Sequence, residues 1–202
     1  MAQGILKYEY EIEEGKAGLT TFSGLPPYID LAAAAGFLNS IDRHLEIRAG
    51  EQGWTDRQLV LSLVLLNLAG GDCVDDIEKL EGDEGFCRIF RKAEVYGMKR
   101  KDRRELQKRW RKERKRTFPS ASVIFRYLSK FHDEEQEKLR TAGKAFIPAA
   151  NEPLKMLRRI NGELIGFEKV KPSETTATLD MDATSSAAFK EKALYSYKGE
   201  KG

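Results

Sequence analysis

Between Leu59 and Leu66 the chain reads Leu-Val-Leu-Ser-Leu-Val-Leu-Leu, which is apolar around almost the whole circumference of a helix. A helix without a polar face must be enclosed by others, so this stretch calls for a multi-helix core. Thr55 and Gln58 mark its start, at the spacing of a capping box that satisfies two orphan amides reciprocally. Gly70-Gly71 stops it after Ala69. The apolar run ending there covers 11 residues and contains Ser62 and Asn67. A membrane helix needs roughly 20, so a transmembrane segment is not expected.

The flanks read as further short helices. Pro26-Pro27 opens one through the alanine run 32 to 35, with Gly36 as its stop, and a second covers Phe37 to Leu45. Asp72 or Asp75 is placed to cap a helix carrying Ile77 and Leu80, and Asp83 to cap one carrying Phe86, Ile89 and Phe90. Later helical spacing covers Ser120 to Phe131, Asp133 to Ala142 and Pro153 to Ile165. Before this array, Leu6 to Ile12 alternates apolar and polar residues as a half-buried strand does, and residues 19 to 22 are expected to pair back as a hairpin. After it, Lys171-Pro172-Ser173 breaks helical structure, and Thr175 to Asp182 reads as a strand. The N-terminus lacks the basic and apolar regions of a signal peptide, which implies a cytoplasmic protein. Cys73 and Cys87 are too few for a disulfide framework, and both are expected in the core.

Charge is distributed very unevenly. The net charge of the 202 residues is +3, yet residues 99 to 116 alone carry 12 Lys or Arg against 3 Asp or Glu. Such a run on an otherwise acidic or neutral chain points to a polyanion, because neutralising phosphates releases condensed counterions. Leu106 and Trp110, at i and i+4, predict a long helix over 99 to 116 docked by a narrow apolar seam. Its candidate DNA contacts are Lys99, Arg100, Arg103, Arg104, Lys108 and Arg109, then Arg111, Lys112, Arg114, Lys115 and Arg116. The run lacks the interleaved aromatics that would favour single strands.

The segment beginning Pro119-Ser120 reads as a recognition helix of a helix-turn-helix-like unit. Ser120 suits an N-cap, and Val123, Ile124, Tyr127, Leu128 and Phe131 form one apolar face. Ser122, Arg126, Ser129 and Lys130 fall opposite. Arg can pair bidentately with guanine and a hydroxyl can bond phosphate or a base edge, so Ser120, Ser122, Arg126 and Lys130 join the candidate contacts. In Leu179-Asp180-Met181-Asp182-Ala183-Thr184 the two acids project from one strand face, a suitable ligand set for a hard divalent cation such as Mg²⁺.

The order of these motifs resembles a known family. Ala69-Gly70-Gly71, Asp76, Leu80, Asp83 and Phe86, then the P-S-x-S-x3-R of Pro119 to Arg126, then Thr178 to Thr184, look like the N-terminal part of a bacterial insertion-sequence transposase of the DDE superfamily. The resemblance spans residues 19 to about 200. It implies an α-helical domain that binds terminal inverted repeats of double-stranded DNA, followed by an RNase H-like catalytic domain whose first strand holds the first catalytic aspartate. By its place in the motif, Asp182 is preferred over Asp180 as that catalytic and metal-binding residue. The family reaction is metal-dependent DNA cleavage and strand transfer, with Mg²⁺ or Mn²⁺ as cofactor. The second aspartate and the far-downstream glutamate that the resemblance implies are absent, and Glu191 and Glu200 lack the extended sheet such residues need, so the sequence reads as truncated after the first catalytic strand. It is expected to be inactive alone and to hold no metal tightly.

The resulting expectation is a mainly α protein: an N-terminal strand or hairpin at 1–24, a helical DNA-binding domain at 25–170, and a linker with an incomplete RNase H-like α/β fragment at 171–202. It would sit in the bacterial cytoplasm in association with the nucleoid, off the membrane, with homo-oligomerisation left open. Two other readings stand beside it. One is a helical DNA-binding regulator or chromosome-associated protein without nuclease ancestry. The other is an interaction module whose basic segment binds an acidic protein.

Overall fold

The computed structural model describes residues 18–167 apart from 49, 51, 111, 140, 142–145 and 147. Among them run nine α-helices: α1 (Pro26–Ala34), α2 (Phe37–His44), α3 (Asp56–Leu68), α4 (Ile77–Glu81), α5 (Glu84–Glu94), α6 (Arg100–Lys108), α7 (Ala121–Leu128), α8 (Glu134–Lys138) and α9 (Glu152–Phe167). Short 3-10 turns at Val74–Asp76 and Ser129–Phe131 precede α4 and follow α7. No strand occurs among the described residues. The protein is mainly α, and none of these helices is long and apolar enough to cross a membrane.

The all-apolar stretch is the hub, as its composition requires. Leu59, Leu61 and Leu65 of α3 are at most 2% exposed, and Val60, Leu63 and Val64 on its other sides are half-covered. Around them pack Leu25 and Ile29 of the α1 region, Leu38 of α2, Ile77 and Leu80 of α4, Phe86 and Phe90 of α5, and Ile124 and Tyr127 of α7. The capping box forms in both directions: Gln58 N donates to Thr55 Oγ1 at 3.2 Å and Thr55 N to Gln58 Oε1 at 2.9 Å. Ser62 is buried at no polar cost because its hydroxyl donates to Gln58 O at 2.7 Å.

Several motif residues turn out to be architectural. The Asp83 carboxylate caps α5 through Phe86 N at 2.8 Å and also receives Thr21 N and Thr21 Oγ1, at 2.8 and 3.0 Å. Burial would raise its pKa, but these backbone and hydroxyl donors outweigh it and hold it below the ordinary value. Gly85 must lack a side chain, since a Cβ there would stand 2.7 Å from the carbonyl oxygen of Gly18. At Gly71 a Cβ would stand 2.5 Å from Leu66 Cδ1. Asp76 receives the amides of Asp72 and Cys73 and pairs with Lys79 at 2.6 Å. The Lys79 bond first and the two amides next bring its carboxyl down to about 2.

A second, smaller cluster joins α9 to α2 through Ile41, Leu45 and Ile160, with Met156 and Leu157 packed against it. Arg57 in the first turn of α3 is buried 3.4 Å from Asp42 of α2. Burial raises the Asp42 pKa and lowers that of Arg57.

Some expectations are corrected. Residues 19 to 22 form a loop and turn rather than a strand, because the Thr21 amide and hydroxyl are held by Asp83. The first strand of that expected hairpin, the linker and strand at 171–184, and with them the RNase H-like fragment, lie outside the described residues. Neither Asp72 nor Asp75 caps the turn before α4, and Asp76 reaches back to do so. Cys73 is exposed in that loop, whereas Cys87 is buried as expected, with burial pushing its thiol pKa up. The helix expected over Asp133 to Ala142 is confined to Glu134–Lys138.

Candidate nucleic-acid interface

The largest correction falls on the basic run, which is half helix and half strap. Only Arg100–Lys108 is helical, and from Trp110 to Arg116 the described backbone is irregular. The reason is a set of side-chain anchors that a continuous helix would pull apart. Trp110 meets Trp54 edge-on at 5.0 Å between ring centroids. Arg109 donates from Nε to Gly53 O at 2.8 Å and from Nη2 to Gly50 O at 2.7 Å, and its own carbonyl receives Gly53 N at 2.9 Å.

Further along the strap, Arg114 makes a two-pronged ion pair with Glu94, at 2.5 and 2.6 Å. Its guanidinium lies 5.2 Å from the Trp54 ring centroid and 5.7 Å from that of Trp110, so the charge is held between two aromatic groups. Glu94 is 5% exposed and also accepts a bond from Gln58 Nε2 of the hub helix. Arg116 pairs with Glu78 at 2.7 Å and donates to Phe118 O at 3.2 Å. The amides of Thr117 and Phe118 end on Glu81 at 3.0 and 2.7 Å, while Arg91 Nε donates to Thr117 Oγ1 at 2.9 Å. Phe118 is fully buried against Phe86 and Phe90.

The strap therefore starts at Gly53 and Trp54, just before α3, and ends on Glu81 at the end of α4. Helix α7 returns the other way. It leaves the buried Phe118-Pro119 pair, buries Ile124, and brings the Tyr127 hydroxyl to Asp56 Oδ1 at 2.8 Å, at the start of α3. Burial, with Asp56 beside it, raises the phenol well above its usual range. Between α5, α6 and the strap lies a cleft of about 740 Å³, walled by Val95, Leu106, Trp110 and several cations. Leu106 and Trp110 do share a surface, as their spacing predicts, although a helix spans only the first of them.

The predicted contact residues now divide into two groups. Arg109 and Arg114 are turned inward as anchors and Arg116 ties the strap to Glu78 at the surface, uses that suit the planar guanidinium with its fork of donors. Lys99, Arg100, Arg104, Lys112 and Lys115 are exposed, and their side chains make no hydrogen bond or ion pair with any described residue. Lys101 is exposed as well, and its charge, after that of Lys108, helps to hold the Glu105 carboxyl below its ordinary value. Arg103 is exposed and donates to Met98 O at 3.2 Å, and Lys108 pairs with Glu105 at 2.8 Å. Arg111 lies outside the described residues.

On α7, Ser120 takes N-cap geometry without a capping side-chain bond, and its hydroxyl instead lies 3.1 Å from that of Ser122. Arg126 is exposed with Nε donating to Ser122 O at 3.2 Å, and Lys130 is exposed. Leu128, expected on the buried face, is 38% exposed, because the helix gives way to a 3-10 turn at Ser129. The sequence offered no signal for Glu94, Glu81 or Trp54, since each is separated from its strap partner by many residues.

Asp180 and Asp182 lie outside the described residues, and among those described no three His, Cys, Asp or Glu side chains are grouped to hold a metal ion. Set against protein families, curated proteins and solved structures, the chain finds no match.

Proposed function

We propose that residues 99 to 130 bind duplex DNA, with α6 and the outward lysines of the strap on phosphates and the exposed face of α7 toward base edges. The observation that carries this reading is the sorting of the basic run. Its bonded arginines are satisfied by Glu94, Glu78 and backbone carbonyls, whereas Lys99, Arg100, Arg104, Lys112 and Lys115 face solvent without an ion-pair partner among the described residues. Uncompensated like charges on one short segment repel, and a polyanion relieves that repulsion. The exposed face of α7 adds cations of its own, Arg126 and, four residues on, Lys130.

Within that reading, the motif resemblance makes the DNA the terminal inverted repeat of an insertion sequence and the chain a transposase relative. Asp182 would then be the inherited ligand for Mg²⁺ or Mn²⁺. A duplex carrying inverted-repeat ends and a scrambled duplex of equal length, titrated with the purified chain at several salt concentrations, test the proposal. With about six phosphates contacted, log K falls against log[salt] with a slope of roughly −5 on both. Arg126→Ala reduces discrimination between the two by about 1 to 3 kcal/mol if it pairs with a base. Absence of binding to either duplex at low salt contradicts the reading and favours an acidic protein as the partner.

A further inference from the structure

The outward face of α7 carries one residue that neither the charge pattern nor the hydroxyl pattern explains. Ser122, Phe125, Arg126 and Ser129 stand at i, i+3, i+4 and i+7 and share one side of the helix, while Ile124 and Tyr127 are buried on the other. Phe125 is 56% exposed, although it follows a fully buried isoleucine. It takes part in none of the aromatic contacts formed by Phe22, Phe86, Phe90, Phe118, Tyr127 and Phe131.

Its polar neighbours are already engaged. The Ser122 hydroxyl lies 3.1 Å from that of Ser120, the Ser129 hydroxyl donates to Arg126 O at 2.9 Å, and Arg126 commits Nε to Ser122 O. What this face offers outward is thus a phenyl ring and the remaining donors of one guanidinium, side by side. The major groove presents complementary partners for both groups: the C5 methyl of thymine is its one apolar feature, and the N7 and O6 acceptors of guanine take arginine.

We propose that Phe125 is a specificity-determining residue that packs against a thymine methyl in the major groove, next to the base read by Arg126. The inference rests on the duplex-DNA reading above. Charge complementarity selects DNA as the occupant of this face, because Arg126 and, four residues on, Lys130 are exposed cations next to Phe125 along the chain. Being solvent-exposed, Phe125 can be truncated without opening a core cavity, so its variants retain the fold and report on binding.

The probe is the tightest duplex that the full chain selects from a random-sequence pool. Each thymine in it is replaced in turn by deoxyuridine, which removes only the methyl group, and affinities are measured for the wild-type chain, Phe125→Ala and Phe125→Leu. In the wild type, one or two positions lose about fourfold in affinity, the worth of one buried methyl group. Phe125→Ala loses that difference and binds thymine and uracil duplexes alike, whereas Phe125→Leu retains part of it. Methyl-insensitivity at every position in the wild type, or equal methyl-sensitivity in Phe125→Ala, overturns the assignment while leaving duplex binding intact. Failure to select any duplex overturns the DNA reading itself, and this inference with it.

Discussion

At the scale of single residues, the most consequential contact is the Arg114–Glu94 pair, held between Trp54 and Trp110 and bonded to Gln58 of the hub helix. Removing one member of a buried ion pair strands the other, at a cost of about 3 to 5 kcal/mol. Glu94→Gln is therefore expected to lower stability by about 3 kcal/mol in urea titration, well beyond any effect of an exposed cation. Joint replacement by Glu94→Leu and Arg114→Met should recover only part of that loss, since apolar residues can replace a buried pair at little cost but the buried Gln58 amide then loses its acceptor. Asp83 is the other residue on which much converges. Asp83→Ala removes a helix cap and the tether of Thr21, and is expected to cost about 2 kcal/mol, above the usual ~1 for a cap alone. The cap was legible from the spacing of Asp83 and Phe86. The Thr21 bonds were not, because they join residues 62 apart in sequence.

At the scale of elements, α3 was legible because its signals are local: Thr55 and Gln58 at one end, Gly70-Gly71 at the other, and uninterrupted apolar residues between. Local propensity failed in the basic run for the opposite reason. Lys and Arg are good helix formers, and the residues that override them, Trp54, Glu94 and Glu81, come from distant parts of the chain. Helix α9 illustrates a third situation, in which the apolar stripe was visible but its mate was not. Its Glu163 receives Arg43 at 2.6 Å and meets His44 at 2.9 Å and the Ser40 hydroxyl at 2.5 Å, all on α2. His44 first, then Ser40 and Arg43, bring the Glu163 carboxyl down to about 2 from an ordinary 4.5. A depressed carboxyl pKa stabilises docking above the ordinary value, and that contribution is lost as pH falls from about 4.5 toward 2. Protection of the α9 amides, corrected for the intrinsic pH dependence of exchange, should fall through that window ahead of protection in α3. Glu163→Gln should show the lowered protection already at pH 7 and respond little to acid. Unchanged α9 protection across the window in the wild type would remove Glu163 from the docking contact.

At the scale of the whole molecule, one basic run divides into cations bonded within the fold and cations facing solvent, a division that the sequence alone could not make. The composition revealed an excess of cations, but which of them are bound internally depends on acids brought up by the fold. The measurement that bears most directly on this division compares two variants on one duplex as salt is varied. The first replaces the outward cations Arg100, Arg104, Lys112 and Lys115 by Gln, and the second replaces the bonded Arg114 and Arg116 by Gln. The first should keep its unfolding midpoint while the slope of log K against log[salt] shrinks by roughly 3 to 4, about 0.9 for each phosphate no longer neutralised. The second should lose stability and, under conditions where it stays folded, keep the wild-type slope. Equal slopes for the wild type and the first variant, or a slope that flattens only in the second, would contradict the account.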